Sequence, residues 1–125
     1  MYLIDTNIFL EILLKQDRSE ECKKFLQSNI ESLHISDFSL HSIGVILFRQ
    51  KETSVFKSYI EDILPLIKLI SLPKSVYPQL LEIKESIDLD FDDIYQYLIC
   101  RTFSLKLITM DQDFKNVEGI DIQML

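Results

Sequence analysis

Apolar residues along this chain follow two rhythms that take turns. Short runs such as Tyr2-Leu3-Ile4, Leu33-His34-Ile35 and Lys106-Leu107-Ile108-Thr109 have the length and composition of buried strands. Ile67-Lys68-Leu69-Ile70 and Ile120 to Met124 alternate in the same way and are also predicted strands. Between them, apolar positions recur every three or four residues, the spacing of a helix with one buried face. This predicts helices over Asn7 to Leu14, Asp17 to Leu26, Asp37 to Phe48, Val55 to Leu64 and Pro73 to about Ile87. Asp17 is the expected cap of the second helix, and Pro65 the expected stop of the fourth. A last helix carries Phe91, Ile94, Tyr95, Leu98 and Ile99 on one face.

Strands that alternate with helices, and are themselves mostly apolar, favour an α/β fold with a parallel sheet covered on both faces. No linker, repeat or low-complexity tract divides residues 1–125, so one domain is expected. In such folds ligands gather beyond the carboxyl ends of the strands. The residues standing there therefore carry the functional question.

Composition narrows the class. With 47% hydrophobic and 26% charged residues but only 2 Gly and 3 Pro, the chain reads as globular rather than disordered. No run approaches the roughly 18 apolar residues of a membrane helix, and a cytoplasmic protein is expected. Cys22 and Cys100 lie in helical stretches, far apart and outside any zinc-binding spacing, and read as buried thiols. A net charge of -7 argues against a broad basic surface for nucleic acid. It leaves open a site where cations intervene between acids and phosphate.

Acids do stand at the strand ends. Asp5 follows the first strand, Ser36 and Asp37 the second, and Asp111 and Asp113 the strand ending at Thr109. Asp90, Asp92 and Asp93 open the helix that leads into that strand. Each acid alone has a structural explanation as a helix cap or a favourable charge in a first turn. Asp5 and Asp37 can cap the helices after them, Asp113 a turn at Phe114, and Asp90 stands at capping-box distance from Asp93. As a set they repel one another unless a cation neutralises them. An all-oxygen donor set with no suitably spaced His or Cys favours Mg²⁺ or Mn²⁺ over zinc.

The stretches LIDTN (Leu3 to Asn7), LDFDDIYQYLIC (Leu89 to Cys100) and LITMDQDF (Leu107 to Phe114) resemble the first, third and fourth motifs of the PIN-domain nucleases, which include VapC-like toxins of toxin-antitoxin pairs. The resemblance spans the chain. It implies a Rossmann-like three-layer α/β/α sandwich and a Mg²⁺- or Mn²⁺-dependent endoribonuclease, often a homodimer, with RNA as substrate and an antitoxin as possible partner. Carried over residue by residue, it makes Asp5, Asp93 and Asp111 the catalytic metal ligands, with Asp92 and Asp113 beside them. Thr6, Asn7 and Thr109 become supporting polar groups. The second motif departs from the pattern. Its Glu position aligns with Ser42 in ISDFSLHSIGVIL (Ile35 to Leu47), leaving Asp37 or His41 to compensate in part.

That departure motivates a competing reading, a PIN domain with weakened catalysis that serves as an RNA-binding or protein-interaction module. A phosphoacceptor signalling domain, the third alternative, would need an acid pair after the first strand and a late lysine, where this chain has Asp5 alone and Thr109-Met110-Asp111. Glu11 reads as an exposed or supporting acid, and Arg49, Lys51, Lys57 and Arg101 as solvated charges. No aromatic platform for RNA is apparent in the sequence. Helices as apolar as Asn7 to Leu14 predict a dimer interface or antitoxin groove on the early and middle helices.

Overall fold

Because successive side chains of a strand point to opposite faces, each short strand here feeds two cores. Leu3 and Leu107 pack into one apolar cluster, while their neighbours Ile4 and Ile108 pack into the other. The computed structural model describes residues 1–125. Five strands, β1 (Tyr2–Ile4), β2 (Leu33–Ser36), β3 (Lys68–Ile70), β4 (Lys106–Thr109) and β5 (Ile122–Met124), form one parallel sheet in the order β3-β2-β1-β4-β5.

Helices α1 (Thr6–Leu13), α2 (Ser19–Ser28), α3 (Asp37–Arg49) and α4 (Thr53–Ser58) precede β3. The first three bring Ile8, Phe9, Cys22, Leu26, Ile43 and Leu47 to one face of the sheet. Helices α5 (Gln79–Ser86) and α6 (Phe91–Phe103) cover the other with Leu80, Ile83, Ile94, Leu98 and Ile99. This is the expected α/β sandwich. Burying each large apolar side chain contributes about 1.5–3 kcal/mol, so both layers are held mainly by this packing. Cys22 and Cys100 are both buried and free. No helix is long and apolar enough to cross a membrane.

Several element ends differ from the sequence expectation, each for a local reason. Asp17 does not cap α2: Arg18 takes the cap position with no side-chain cap bond, and Glu11 of α1 accepts the Arg18 N–H at 2.8 Å instead. The stretch after α4 relaxes into a wider π turn over Tyr59–Ile63 and a tight turn over Leu64–Leu66, and Pro65 sits inside that turn, where no amide hydrogen is required of it. The predicted helix from Pro73 is split. A short turn at Lys74–Val76 gives way to α5 only after Pro78, whose missing N–H is tolerated just ahead of a first helical turn. Asp90 precedes α6 but makes no cap bond, so the capping box with Asp93 does not form. Nor does Asp37 cap α3; the Ser36 hydroxyl does, accepting the Ser39 N–H at 3.1 Å. Phe91, expected on the buried face of α6, is 60% exposed.

Candidate metal centre

The strand order fixes where a site can form. The chain builds β1, β2 and β3 outward in one direction, then returns to lay β4 and β5 on the other side of β1. The direction reverses between β1 and β4, and a crevice opens there beyond the carboxyl ends. Asp5 occupies it. Its backbone N–H bonds the Ile108 carbonyl at 3.0 Å, anchoring the residue between the two strands.

The Asp5 carboxylate is buried and surrounded by donors. Oδ1 accepts the Thr6 N–H at 2.9 Å and Gln96 Nε2 at 3.3 Å, and Oδ2 accepts the Thr109 hydroxyl at 2.7 Å. Burial pushes its pKa up, the donors pull it down, and the nearby Asp111 adds a smaller upward push; the net direction is up. The Thr6 bond also makes Asp5 the N-cap of α1. The cap reading of Asp5 is thereby observed.

Around it lies a polar cavity of about 280 Å³ lined by Asp5, Thr6, Asn7, Ser42, Asp90, Asp92, Asp93, Gln96, Asp111 and Asp113, with Phe38 and Ile46 as its apolar wall. Asp93, Asp111 and Asp113 present carboxylate oxygens that all lie within 4.8 Å of one another. The β4 end supplies two of them. The Thr109 hydroxyl accepts the Asp111 N–H at 3.0 Å, and Asp111 in turn caps the turn Gln112–Phe114 by accepting the Asp113 N–H at 2.9 Å. Asp93, in the first turn of α6, has its pKa pushed up to about 7, first by burial and then by Asp111, Asp5, Asp113 and Asp90. The neighbouring carboxylates thus add to burial in opposing the ionisation of Asp93. A hard divalent cation fits this donor set in both ligand type and spacing.

Two residues of the Asp5 surroundings, Gln96 and Ser39, were not legible from residue type. Gln96, 1% exposed, donates from Nε2 to the Ser39 hydroxyl at 2.7 Å as well as to Asp5, and its Oε1 accepts the Ser36 hydroxyl at 2.7 Å. Ser39 also receives the Thr6 hydroxyl at 2.9 Å. The available signal was spacing. Gln96 stands one turn after Asp93 and Ser39 one turn after Ser36, so each pair shares a helix face.

Ser42 reaches the cavity wall from α3, where it offers a hydroxyl in the company of acids. Asp37 lies outside that wall. It accepts the Tyr95 hydroxyl at 2.7 Å and borders a separate groove of about 690 Å³ with Leu40, His41, Val45 and Phe48. His41 is exposed there. Arg49 borders the same groove, Lys57 pairs with Glu61 at 3.8 Å and Arg101 bonds Gln79, so none of these cations, nor Lys51, lines the acidic cavity.

Solved structures share this fold. VapBC2 from Rickettsia felis bound to a promoter DNA fragment matches with a TM-score of 0.83 at 15% identity, over 98% of this chain and 97% of that one. A toxin-antitoxin complex from Klebsiella pneumoniae gives 0.77 at 20% identity, over 96% and 95%. VapC20 from Mycobacterium tuberculosis, described as a sarcin-ricin loop cleaving toxin, gives 0.76 at 14% identity, over 92% and 93%. No curated protein matches at the sequence level. The PIN domain family matches residues 2–120, nearly the whole length over which the sheet and its acidic crevice are built. The chain belongs to the PIN-domain family.

Proposed function

We propose that the protein is a Mg²⁺- or Mn²⁺-dependent endoribonuclease, a single PIN domain over residues 1–125 that acts in the cytoplasm as the toxin of a toxin-antitoxin pair. The observation that carries this reading is the gathering of Asp5, Asp93, Asp111 and Asp113 from β1, α6 and the β4 end into one crevice. The VapC20 description, an RNA-cleaving toxin of the same fold, supports the substrate class. The toxin-antitoxin complexes among the structural neighbours support an antitoxin partner. Homodimerisation is part of the same proposal, and Phe48 of α3, 60% exposed, would serve it.

In this scheme Asp5, Asp93 and Asp111 hold the cation, with Asp92 and Asp113 flanking it. When bound, the cation lowers the pKa of an attacking water and offsets charge on the scissile phosphate. The chain's own work is orientation. Thr109 and Gln96 fix the Asp5 carboxylate from either side, leaving it an acceptor with no room to rotate. Thr6 ties α1 to Ser39 of α3, and Asn7, exposed at the cavity edge, faces incoming substrate.

One observation favours a second reading: the α3 wall offers Ser42 where a carboxylate would add charge, which suits a PIN domain that binds RNA or a partner protein with little turnover. The test is direct. Purified protein incubated with RNA and Mn²⁺ should cleave it, and Asp5→Asn should not. Cleavage that survives this substitution, or that appears with neither metal, sinks the nuclease reading.

A further inference from the structure

Beside the acidic cavity stands an aromatic group that the metal chemistry leaves unused. Tyr95, 4% exposed, is its centre. Its hydroxyl donates to Asp37 at 2.7 Å and accepts the Leu72 N–H at 3.0 Å, so the ring is fixed at its polar end. Three further rings surround it. Phe91 stacks on Tyr95 with centroids 6.4 Å apart and planes inclined by 29°, Tyr77 meets it edge-on at 6.3 Å, and Phe38 lies at 6.0 Å. Phe38 also forms part of the acidic cavity's wall, so the aromatic group and the carboxylates share a side chain. The outer rim is open: Phe91 is 60% and Tyr77 43% exposed. Phe91 sits between Asp90 and Asp92, both of which line the cavity.

Taking the acidic cavity as the place where a strand is cut, as proposed above, we infer that Phe91, backed by Tyr95 and flanked by Tyr77, is the seat of an unpaired nucleobase. Two observations select this occupant. No Lys or Arg lines the cavity and the chain carries a net charge of -7, so the cavity wall itself offers a strand no phosphate contacts to basic side chains. Stacking can hold one, because it recruits the uncharged face of any base, and aromatic side chains recognise RNA where bases are unstacked. A base within a duplex presents no free face to such a ring. The clamp on Tyr95 means that little freedom is lost when a base arrives.

The chain contains no Trp, so Phe91→Trp introduces a single reporter at the seat. A fluorescein-labelled single-stranded oligoribonucleotide and its duplex would be titrated, in Ca²⁺, into wild type, Phe91→Ala and Phe91→Trp. The expected result is binding of the single strand about tenfold weaker in Phe91→Ala. Phe91→Trp should bind as wild type does, with its fluorescence quenched by the single strand and not by the duplex. Equal affinity of Phe91→Ala and wild type, equal quenching by duplex, or no binding by wild type would overturn the seat. So would loss of affinity that merely follows conversion of a dimer to a monomer, since Phe91 would then be a contact between copies. Cleavage of the same strand in Mn²⁺ by wild type and Asp5→Asn is read separately. Quenching without cleavage leaves the seat standing and removes the nuclease; cleavage with unchanged Phe91→Ala binding does the reverse.

Discussion

Ser36 and Asp5 bond opposite ends of the Gln96 amide. The Ser36 oxygen accepts the Ser39 N–H at 3.1 Å and donates its proton to Gln96 Oε1 at 2.7 Å. The amide nitrogen at the other end donates to Asp5 and Ser39. The cap residue of α3 is thus linked through a side chain of α6 to the carboxylate that follows β1.

Gln96→Ala should break this chain and leave the Ser36 hydroxyl without its acceptor in a dry site. The expected cost is about 1–3 kcal/mol in chemical denaturation. Mn²⁺ binding followed by electron paramagnetic resonance should weaken by severalfold, because Asp5 gains rotational freedom. Gln96→Glu should cost more in the metal-free protein, since it replaces a donor to Asp5 with another acid. If stability falls while Mn²⁺ affinity holds, Gln96 fills space and does not orient Asp5.

The pH dependence of the metal-free protein follows from Asp93. Its pKa is 3.8 as an ordinary Asp and about 7 in the fold, so the folded state retains a proton that the unfolded state has released. The associated stability is complete below pH 4 and is lost as the pH rises to 7; the upward shift of Asp5 acts with the same sign. Asp93→Asn should flatten this decline, raising stability at pH 8 by on the order of 1–2 kcal/mol after allowance for solvent screening. Thermal melts at pH 5 and pH 8, with and without Mn²⁺, would read it. A decline that is unchanged in Asp93→Asn refutes the assignment.

Ser42→Glu adds a carboxylate to a wall that lacks one. Mn²⁺ should bind at least several-fold more tightly, and the metal-free protein should melt lower because another negative charge joins the cluster. If both quantities stay at wild-type values, the side chain at this position does not reach the cation.

Gly119 tests the packing of the far edge. Its φ is +99°, and a Cβ there would lie 2.2 Å from the Tyr97 hydroxyl oxygen, which itself donates to the Glu118 carbonyl. Gly119→Ala should cost about 1–3 kcal/mol from strain and overlap together. Adding Tyr97→Phe should recover the part due to overlap and leave the part due to φ. Full recovery would assign the whole cost to the clash.

The sheet and the acids were legible because they rest on local rules. Short apolar runs mark β1, β2 and β4, and the acids stand just after them or at the start of α6. Element ends were less so, since Glu11 capping α2 from the preceding helix is a tertiary event that no window around Asp17 contains. Gln96 and Ser39 read as ordinary helix residues until α6 and α3 meet over Asp5. The aromatic group was hidden for the same reason: Phe38, Tyr77 and Phe91 come from separate segments and share only Tyr95.

The bond from Thr109 to Asp5 joins residues 104 positions apart, on strands that lie side by side. During synthesis β1 is made first and waits for β4 to be made, so the first carboxylate has no pocket while most of the chain is still to come. Asp111 and Asp113 arrive later still. Any chemistry the crevice performs is therefore withheld from the nascent chain and from every truncated product that stops short of β4.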